Sequence, residues 1–397
     1  DSDARTLNRF PPTRLMIIGF DGKRAVQNNT GLGNYSRLLV EKMATIFPDN
    51  RYRVYAPRRR ENPRLASIEK LDNVAFAYPE SGFWRRMPSL WRSWGITDRL
   101  KADTLTLYHG LSGELPLNIG RAGIPSVVTI HDLIFRHFPE NYRTVDRRIY
   151  DYKFRRACLD ATRVIAISEK TKADITSDYG IDPEKIDVVY QGCDTIFRHR
   201  PDDATIAETR RLYGLDRPYI ISVGTLEPRK NQLQAVEGLA ALPQDPDLLL
   251  VGRRGDYARR VLDPAIARMR LTERVKFLEG IPFAHLPALY AGALLSSYTS
   301  RYEGFGLPVI ESLSVGTPVI TATGSCLEEA GGPDTPAIDP DSVEQWATTA
   351  MRLITDRDYA ISVGSKGREY VGRFSHEAMA RGTMATYLAA IKSYSKQ

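Results

Sequence analysis

The chain is 397 residues long, 42% hydrophobic and 26% charged, which suits two globular domains with their own cores and excludes a disordered, collagen-like or coiled-coil chain. Its three cysteines, Cys158, Cys193 and Cys326, are odd in number, far apart and in no CxxC pair, which argues against a disulfide scaffold and fits a reducing, cytoplasmic setting. The net charge of +7 is uneven: residues 1–200 hold 33 Lys+Arg against 24 Asp+Glu and residues 201–397 hold 22 against 24, so the first half suits an anionic partner such as nucleic acid, a phosphorylated small molecule or a membrane surface.

Apolar, β-rich runs alternate with helical spacing along the whole chain. Strands are predicted at Leu15–Phe20, Tyr52–Ala56, Val74–Tyr78, Thr104–Tyr108, Ser126–Ile130, Arg163–Ile167 and Ile186–Tyr190, with helices at Asn34–Phe47, Asp146–Ala161 and Glu169–Tyr179. The series restarts with strands at Tyr219–Val223, Leu248–Val251, Val275–Leu278, Leu294–Tyr298 and Pro318–Thr321. Helices are predicted there at Asn231–Leu242, Tyr257–Met269, Phe283–Gly292, Pro308–Val315, Ser342–Thr355 and Tyr359–Phe374. Such alternation implies two tandem Rossmann-like, doubly wound α/β domains with parallel sheets facing a central cleft. The polar stretch Arg198–Pro218 reads as a hinge, dividing residues 1–200 from 201–374; residues 375–397 read as a final helix returning towards the first domain. No run reaches the ~18–20 apolar residues that span a bilayer, and the opening DSDARTLNRFPPTR lacks the apolar centre of a signal peptide.

In open parallel sheets ligands bind outside the carboxyl ends of the strands. The segment Ser300–Glu311, SRYEGFGLPVIE, lies there, after a strand and leading into a helix. Gly304 and Gly306 permit close backbone approach, Phe305 and Leu307 fill the turn, and Pro308 suits a first helical turn. The helix amides favour a phosphate or sugar oxygens, and Glu303 and Glu311 can accept hydrogen bonds from one ligand's hydroxyls. Glu227-Pro228-Arg229-Lys230-Asn231 offers a guanidinium fork beside a point charge, which suits a diphosphate. Gly31-Leu32-Gly33 follows the first strand as a turn that a phosphate or acceptor could approach. His131 closes the run SVVTI, either as a satisfied core histidine or as a site residue, with Asp132 beside it. Ser168 and Glu169 read as a helix cap.

Taken in order, Glu303-x7-Glu311 with GFGLP, Gly31-Leu32-Gly33-Asn34-Tyr35, TIHDL at 129–133, ISEKT at 167–171, VGTLEPRKN at 223–231 and GTPVI at 316–320 resemble glycosyltransferase family 4, retaining enzymes of GT-B fold, over nearly the whole chain. The resemblance implies transfer of a hexose from a nucleotide diphosphate sugar. Arg229 and Lys230 would stabilise the departing diphosphate, Glu303 would hold a sugar hydroxyl, and Glu311 would hold the ribose. Gly31, Gly33 and the Gly304–Leu307 turn would line the donor, and His131 would lie beside the donor sugar, with Asp132 towards the acceptor. Many relatives carry an extra Arg where this chain has Thr225, which leaves the phosphate charge to Arg229 and Lys230.

The combined motifs look most like mannosyltransferases of bacterial surface polysaccharide, lipopolysaccharide included, so GDP-mannose is the expected donor, with a UDP-sugar as the alternative. A GT-B epimerase, or a silent sugar-nucleotide- or glycan-binding module, are further readings. No cofactor and no metal are expected, because Asp245-Pro-Asp247 and Asp339-Pro-Asp341 read as turns rather than metal-binding DxD motifs. In Phe83–Trp94, residues Trp84, Met87, Trp91 and Trp94 fall at helical spacing among arginines. That segment reads either as an interfacial helix meeting an anionic membrane or lipid-linked acceptor, on the cytoplasmic face of the inner membrane, or as a core-facing helix. No nucleic-acid-binding motif is present, so nucleic acid is not an expected partner.

Overall fold

The computed structural model describes residues 15–243 and 246–396, so the opening segment and Asp245 lie outside the described residues. Seven strands form the first sheet: β1 (Ile17–Asp21), β2 (Arg51–Tyr55), β3 (Val74–Ala77), β4 (Leu107–Gly110), β5 (Ser126–Ile130), β6 (Arg163–Ala166) and β7 (Ile186–Val188). Six form the second: β8 (Tyr219–Val223), β9 (Asp247–Val251), β10 (Val275–Leu278), β11 (Leu295–Tyr298), β12 (Val319–Ala322) and β13 (Ala337–Ile338). The spatial orders are 3-2-1-4-5-6-7 and 10-9-8-11-12-13, and the paired strands run parallel. All five residues of β5 and of β9 are buried, as expected for strands covered on both faces. In each sheet the strand order reverses once, between β1 and β4 and between β8 and β11, and the crevice at such a switch point is where a ligand fits.

The last helix, His376–Tyr394, packs on the first sheet's Gly31–Ile46 helix and sets Met379, Met384 and Tyr387 into that core. Within β4, His109 is pinned by the Tyr387 hydroxyl (2.6 Å) and Thr129 (2.8 Å), and burial pushes its imidazole down to about 3, so it stays neutral.

Three expectations need correction. Gly31 and Gly33 do not form a turn: a short helix, Lys23–Gln27, follows β1, and the next helix starts at Gly31 rather than Asn34. The Asn28 side chain holds that start, accepting from the amides of Thr30 (2.8 Å) and Gly33 (3.2 Å). Second, the tryptophan segment is not one helix face, because the chain breaks at Met87 (φ −118°, ψ 57°) ahead of Pro88. Trp91 is buried and Trp84 packs over Gly95, whereas Phe83, Met87, Leu90 and Trp94 are exposed. Third, the helix expected over 257–269 runs through a π-turn at Ala258–Leu262 before Asp263–Arg268.

Candidate active site

Beyond β8 the chain makes one tight turn, Pro228–Lys230, closed by Asn231 at φ 60°. Asn231 holds this conformation because its side-chain amide donates to the carbonyls of Pro340 (2.7 Å) and Thr299 (3.3 Å), tying the turn to the loop after β11. The turn therefore aims Arg229 and Lys230 at Glu303. The Glu303 carboxylate lies 2.6 Å from Lys230 Nζ and 2.9 Å from Arg229, and accepts from the Tyr298 hydroxyl at 3.0 Å. Arg229 also pairs with Glu227 (2.5 Å) and donates to the Tyr302 carbonyl. Burial pushes the Glu303 carboxyl up, but Lys230 and Arg229 outweigh it and hold the group below the ordinary carboxylate range. The cluster sits at the second sheet's switch point, beside the start of the Leu307–Ser314 helix, which has Gly306 at its N-cap.

Glu311 lies one turn into that helix, accepting from the Tyr290 hydroxyl at 3.3 Å. Burial raises its carboxyl to about 7; Tyr290 lowers it and Asp194 adds to the rise. Glu311 and Leu307 line a cavity of about 660 Å³ between the two sheets, with Gly31, Tyr35 and Gln191 on the opposite wall. That volume suits a nucleotide-sized ligand. A Cβ on Gly31 would meet nothing within 4 Å, whereas one on Gly33 would lie 1.9 Å from the Asn28 carbonyl oxygen. Gly31 thus faces the cavity, and Gly33 serves the helix start.

His131 directly follows β5, buried edge-on against Tyr35 at 4.5 Å between ring centres. Its Nε2 donates to the Leu111 carbonyl (3.0 Å), and Nδ1 accepts from the Gln191 amide (3.1 Å). Burial pushes the ring down to about 4, so it is neutral with both nitrogens engaged. His131, expected beside the donor sugar, has neither ring nitrogen free and presents its backbone carbonyl to the second domain. Asp132 accepts from Ile134 N (3.1 Å) and lies on the seam, its Cβ 3.2 Å from where a Cβ on Gly304 would stand; burial raises its carboxyl against the lowering effects of the Ile134 amide and Arg229.

The seam itself is tight. A Cβ on Gly304 would lie 2.0 Å from the His131 carbonyl oxygen, so glycine is what lets the two domains meet. Phe305, expected as part of the Gly304–Leu307 turn that would line the donor, has its ring buried in the seam, stacked on Tyr190 at 5.3 Å. The Tyr302 hydroxyl donates to Asp174 (2.7 Å), and the Glu329 carboxylate accepts from the amides of Glu169 (2.7 Å) and Lys170 (2.9 Å). The helix over 169–179 is therefore capped twice, by Ser168 as expected and by a carboxylate from the other domain. Tyr290, Tyr298, Tyr302, Gln191 and Glu329 were not singled out from sequence. Tyr298 carried the clearest signal, as the last residue of a strand entering the motif.

Two family descriptions match in tandem: Glycosyltransferase Family 4 over residues 30–197 and Glycosyl transferases group 1 over residues 207–370. The chain belongs to glycosyltransferase family 4. This glycosyltransferase is 27% identical over 372 residues to O-antigen chain mannosyltransferase B of Escherichia coli, covering 90% of this chain and 96% of the relative. It is 27% identical over 292 residues to the MMP alpha-(1->4)-mannosyltransferase of Mycolicibacterium hassiacum, covering 69% and 68% of the two chains. In fold it resembles Anabaena HepE in complex with UDP-glucose (TM-score 0.73, 21% identity, 94% of this chain and 99% of that one). It also resembles WaaG, a glycosyltransferase involved in lipopolysaccharide biosynthesis (TM-score 0.68, 17% identity, 94% and 99%). The glycosyltransferase thus has the GT-B architecture, with Arg229, Lys230 and Glu303 on the second domain facing His131 and Asp132 on the first.

Proposed function

We propose that this glycosyltransferase moves mannose from GDP-mannose to a hydroxyl of a saccharide or lipid-linked saccharide in bacterial polysaccharide assembly, with retention at the anomeric carbon and without a metal or other cofactor. The observation that carries the reading is the Arg229–Lys230–Glu303 cluster at a switch point, closed over by the first domain. In the free protein Glu303 pairs with both cations. An incoming diphosphate competes for them and releases the carboxylate to accept a sugar hydroxyl. As the bond from anomeric carbon to phosphate oxygen breaks, negative charge develops on the diphosphate, where Arg229, Lys230 and the amides at the start of the Leu307–Ser314 helix lie. The acceptor hydroxyl attacks from the same face and passes its proton to the leaving oxygen. Glu311 takes the ribose hydroxyls in the 660 Å³ cavity. Closure at Gly304 keeps out water, which otherwise hydrolyses the donor.

The mannosyltransferase relatives support mannose, and a structural neighbour in complex with UDP-glucose supports a UDP-sugar as the second reading. We further propose that the exposed Phe83, Met87, Leu90 and Trp94, beside Arg85 and Arg86, rest on an anionic bilayer on the cytoplasmic side, which co-sedimentation with anionic vesicles tests. Among the described residues, no helix is long and apolar enough to cross a membrane. The deciding experiment is thermal stabilisation by GDP-, UDP-, ADP- and dTDP-sugars without added metal, followed by NMR of the product anomer. A selective shift with GDP-mannose and a retained anomer are expected. A shift with UDP-sugars alone replaces the donor, an inverted product removes the mechanism, and no shift with any donor overturns the reading.

A further inference from the structure

The first sheet has a switch point too, between β1 and β4, and the proposed transfer chemistry leaves it unused. A cavity of about 280 Å³ opens there, lined by Lys23, Arg58, Arg60, Arg92 and Lys153. Lys23 follows β1, and Arg58 and Arg60 follow β2, so all three extend from carboxyl ends of strands. Beneath them Arg92 is buried between Asp21 (2.5 Å) and Glu114 (2.6 Å), and Lys153 shares Glu114 at 2.9 Å. Those two carboxylates are consumed by Arg92 and Lys153. Among the described residues the side chains of Lys23, Arg58 and Arg60 make no hydrogen bond or ion pair, so the cavity keeps a surplus of positive charge over a rigid, salt-bridged floor.

We propose that this pocket is an anion subsite that holds a phosphate or diphosphate group of the acceptor. The inference rests on the transferase reading above and names the class of acceptor. Three converging cations without partners fit a compact, multiply charged group better than a single carboxylate. The pocket also adjoins the transfer site. Lys23 faces it, while its neighbour Arg24 faces a second cavity of about 170 Å³ that holds His131 and Asp132; Lys153 and Phe154 divide between the two cavities in the same way. The second cavity presents the rings of Tyr142, Tyr150 and Phe154, flat surfaces on which a sugar can lie. An acceptor whose sugar rests on those rings beside Asp132 places its phosphate among Lys23, Arg58 and Arg60. A lipid diphosphate and a soluble sugar phosphate share this chemistry.

The test is calorimetric titration of the full chain. Nucleoside diphosphate binding is measured first and addresses Arg229 and Lys230. Inorganic pyrophosphate is then titrated into the nucleotide-saturated protein and addresses the new pocket. The double variant Lys23→Ala/Arg60→Ala should weaken pyrophosphate by about tenfold per cation removed and leave nucleotide affinity and melting temperature unchanged. Arg229→Ala/Lys230→Ala should do the reverse. Farnesyl diphosphate binding more tightly than pyrophosphate assigns the group to a lipid, and mannose 1-phosphate binding more tightly than inorganic phosphate assigns it to a soluble sugar. Pyrophosphate that fails to bind, or binds the double variant as well as the parent, overturns the subsite. Loss of nucleotide binding in the parent overturns the donor reading separately.

Discussion

Replacing Gly304 with alanine probes the seam directly. The new methyl carbon would lie 2.0 Å from the His131 carbonyl oxygen and 3.2 Å from Asp132 Cβ. A carbon–oxygen contact relaxes at about 3.3 Å, so roughly 1.3 Å of separation must open. No rotamer relieves the clash, because the group struck is backbone at the end of β5 and Gly304 lies in a loop fixed by the Arg229–Tyr302 contact. Opening the seam lengthens the Tyr302–Asp174 bond (2.7 Å) and the Glu329 cap on Glu169 and Lys170, and it moves the acceptor-side residues away from Glu303. A displacement of about 1 Å in a reacting pair costs on the order of 100-fold in rate. We therefore expect kcat for transfer to fall about 100-fold in Gly304→Ala. The nucleotide diphosphate Kd should change by less than about tenfold, since Arg229, Lys230 and Glu311, its charged contacts, lie in the second domain. Steady-state kinetics read the first quantity and calorimetry the second. A variant with kcat within about threefold of the parent would show that the seam does not organise the reaction.

Glu311, with its carboxyl raised to about 7 by burial, favours the folded state when protonated. Its stabilising contribution is complete below the unfolded-state value near ~4.3 and is lost as pH rises through 7, by on the order of 3–4 kcal/mol. Glu311→Gln should thus be more stable than the parent at pH 8 and level with it at low pH in urea denaturation; equal stability at pH 8 would refute the assignment. Nucleotide affinity of the parent should rise as pH passes 7 and frees the carboxylate to accept ribose hydroxyls, whereas Glu311→Gln should give a flat profile by calorimetry. Gly33→Ala, which drives Cβ to 1.9 Å from the Asn28 carbonyl, should lower the melting temperature, while Gly31→Ala, facing open space, should leave it unchanged and weaken donor binding. Similar melting of the two variants would remove the distinction between them. Glu329→Ala removes a carboxylate from two helix amides and should cost on the order of 1 kcal/mol and raise amide exchange at Glu169 and Lys170; unchanged exchange there would show that the cap is not made in solution.

The strand series was legible because parallel strands buried on both faces are near-continuous apolar runs, and Ser126–Ile130, Tyr219–Val223 and Val275–Leu278 stand where the pattern places them. β13 escaped because two residues, Ala337 and Ile338, carry no pattern at all. The start of the Gly31–Ile46 helix was hidden because glycines signal turns, and the residue that holds it, Asn28, acts from outside the helix. In Phe83–Trp94 the spacing was periodic, but the break at Met87 sends Trp91 inward and Trp94 outward, a choice made by the backbone and not by the spacing. The motifs Glu303-x7-Glu311 and Arg229-Lys230 placed each group on a strand-to-helix turn, because short spacings constrain geometry locally, but the meeting of Arg229 and Lys230 with Glu303 is a long-range contact made by the pairing of β8 with β11. Which groups are spent on structure was decided only in three dimensions. His131 is saturated by Leu111 and Gln191, Phe305 is taken into the seam, and Tyr302 reaches an aspartate 128 residues away. The Phe305 and Tyr302 contacts join elements from different domains, and those of His131 join loops 20 and 60 residues apart; local sequence carries no record of partners that only tertiary packing brings near.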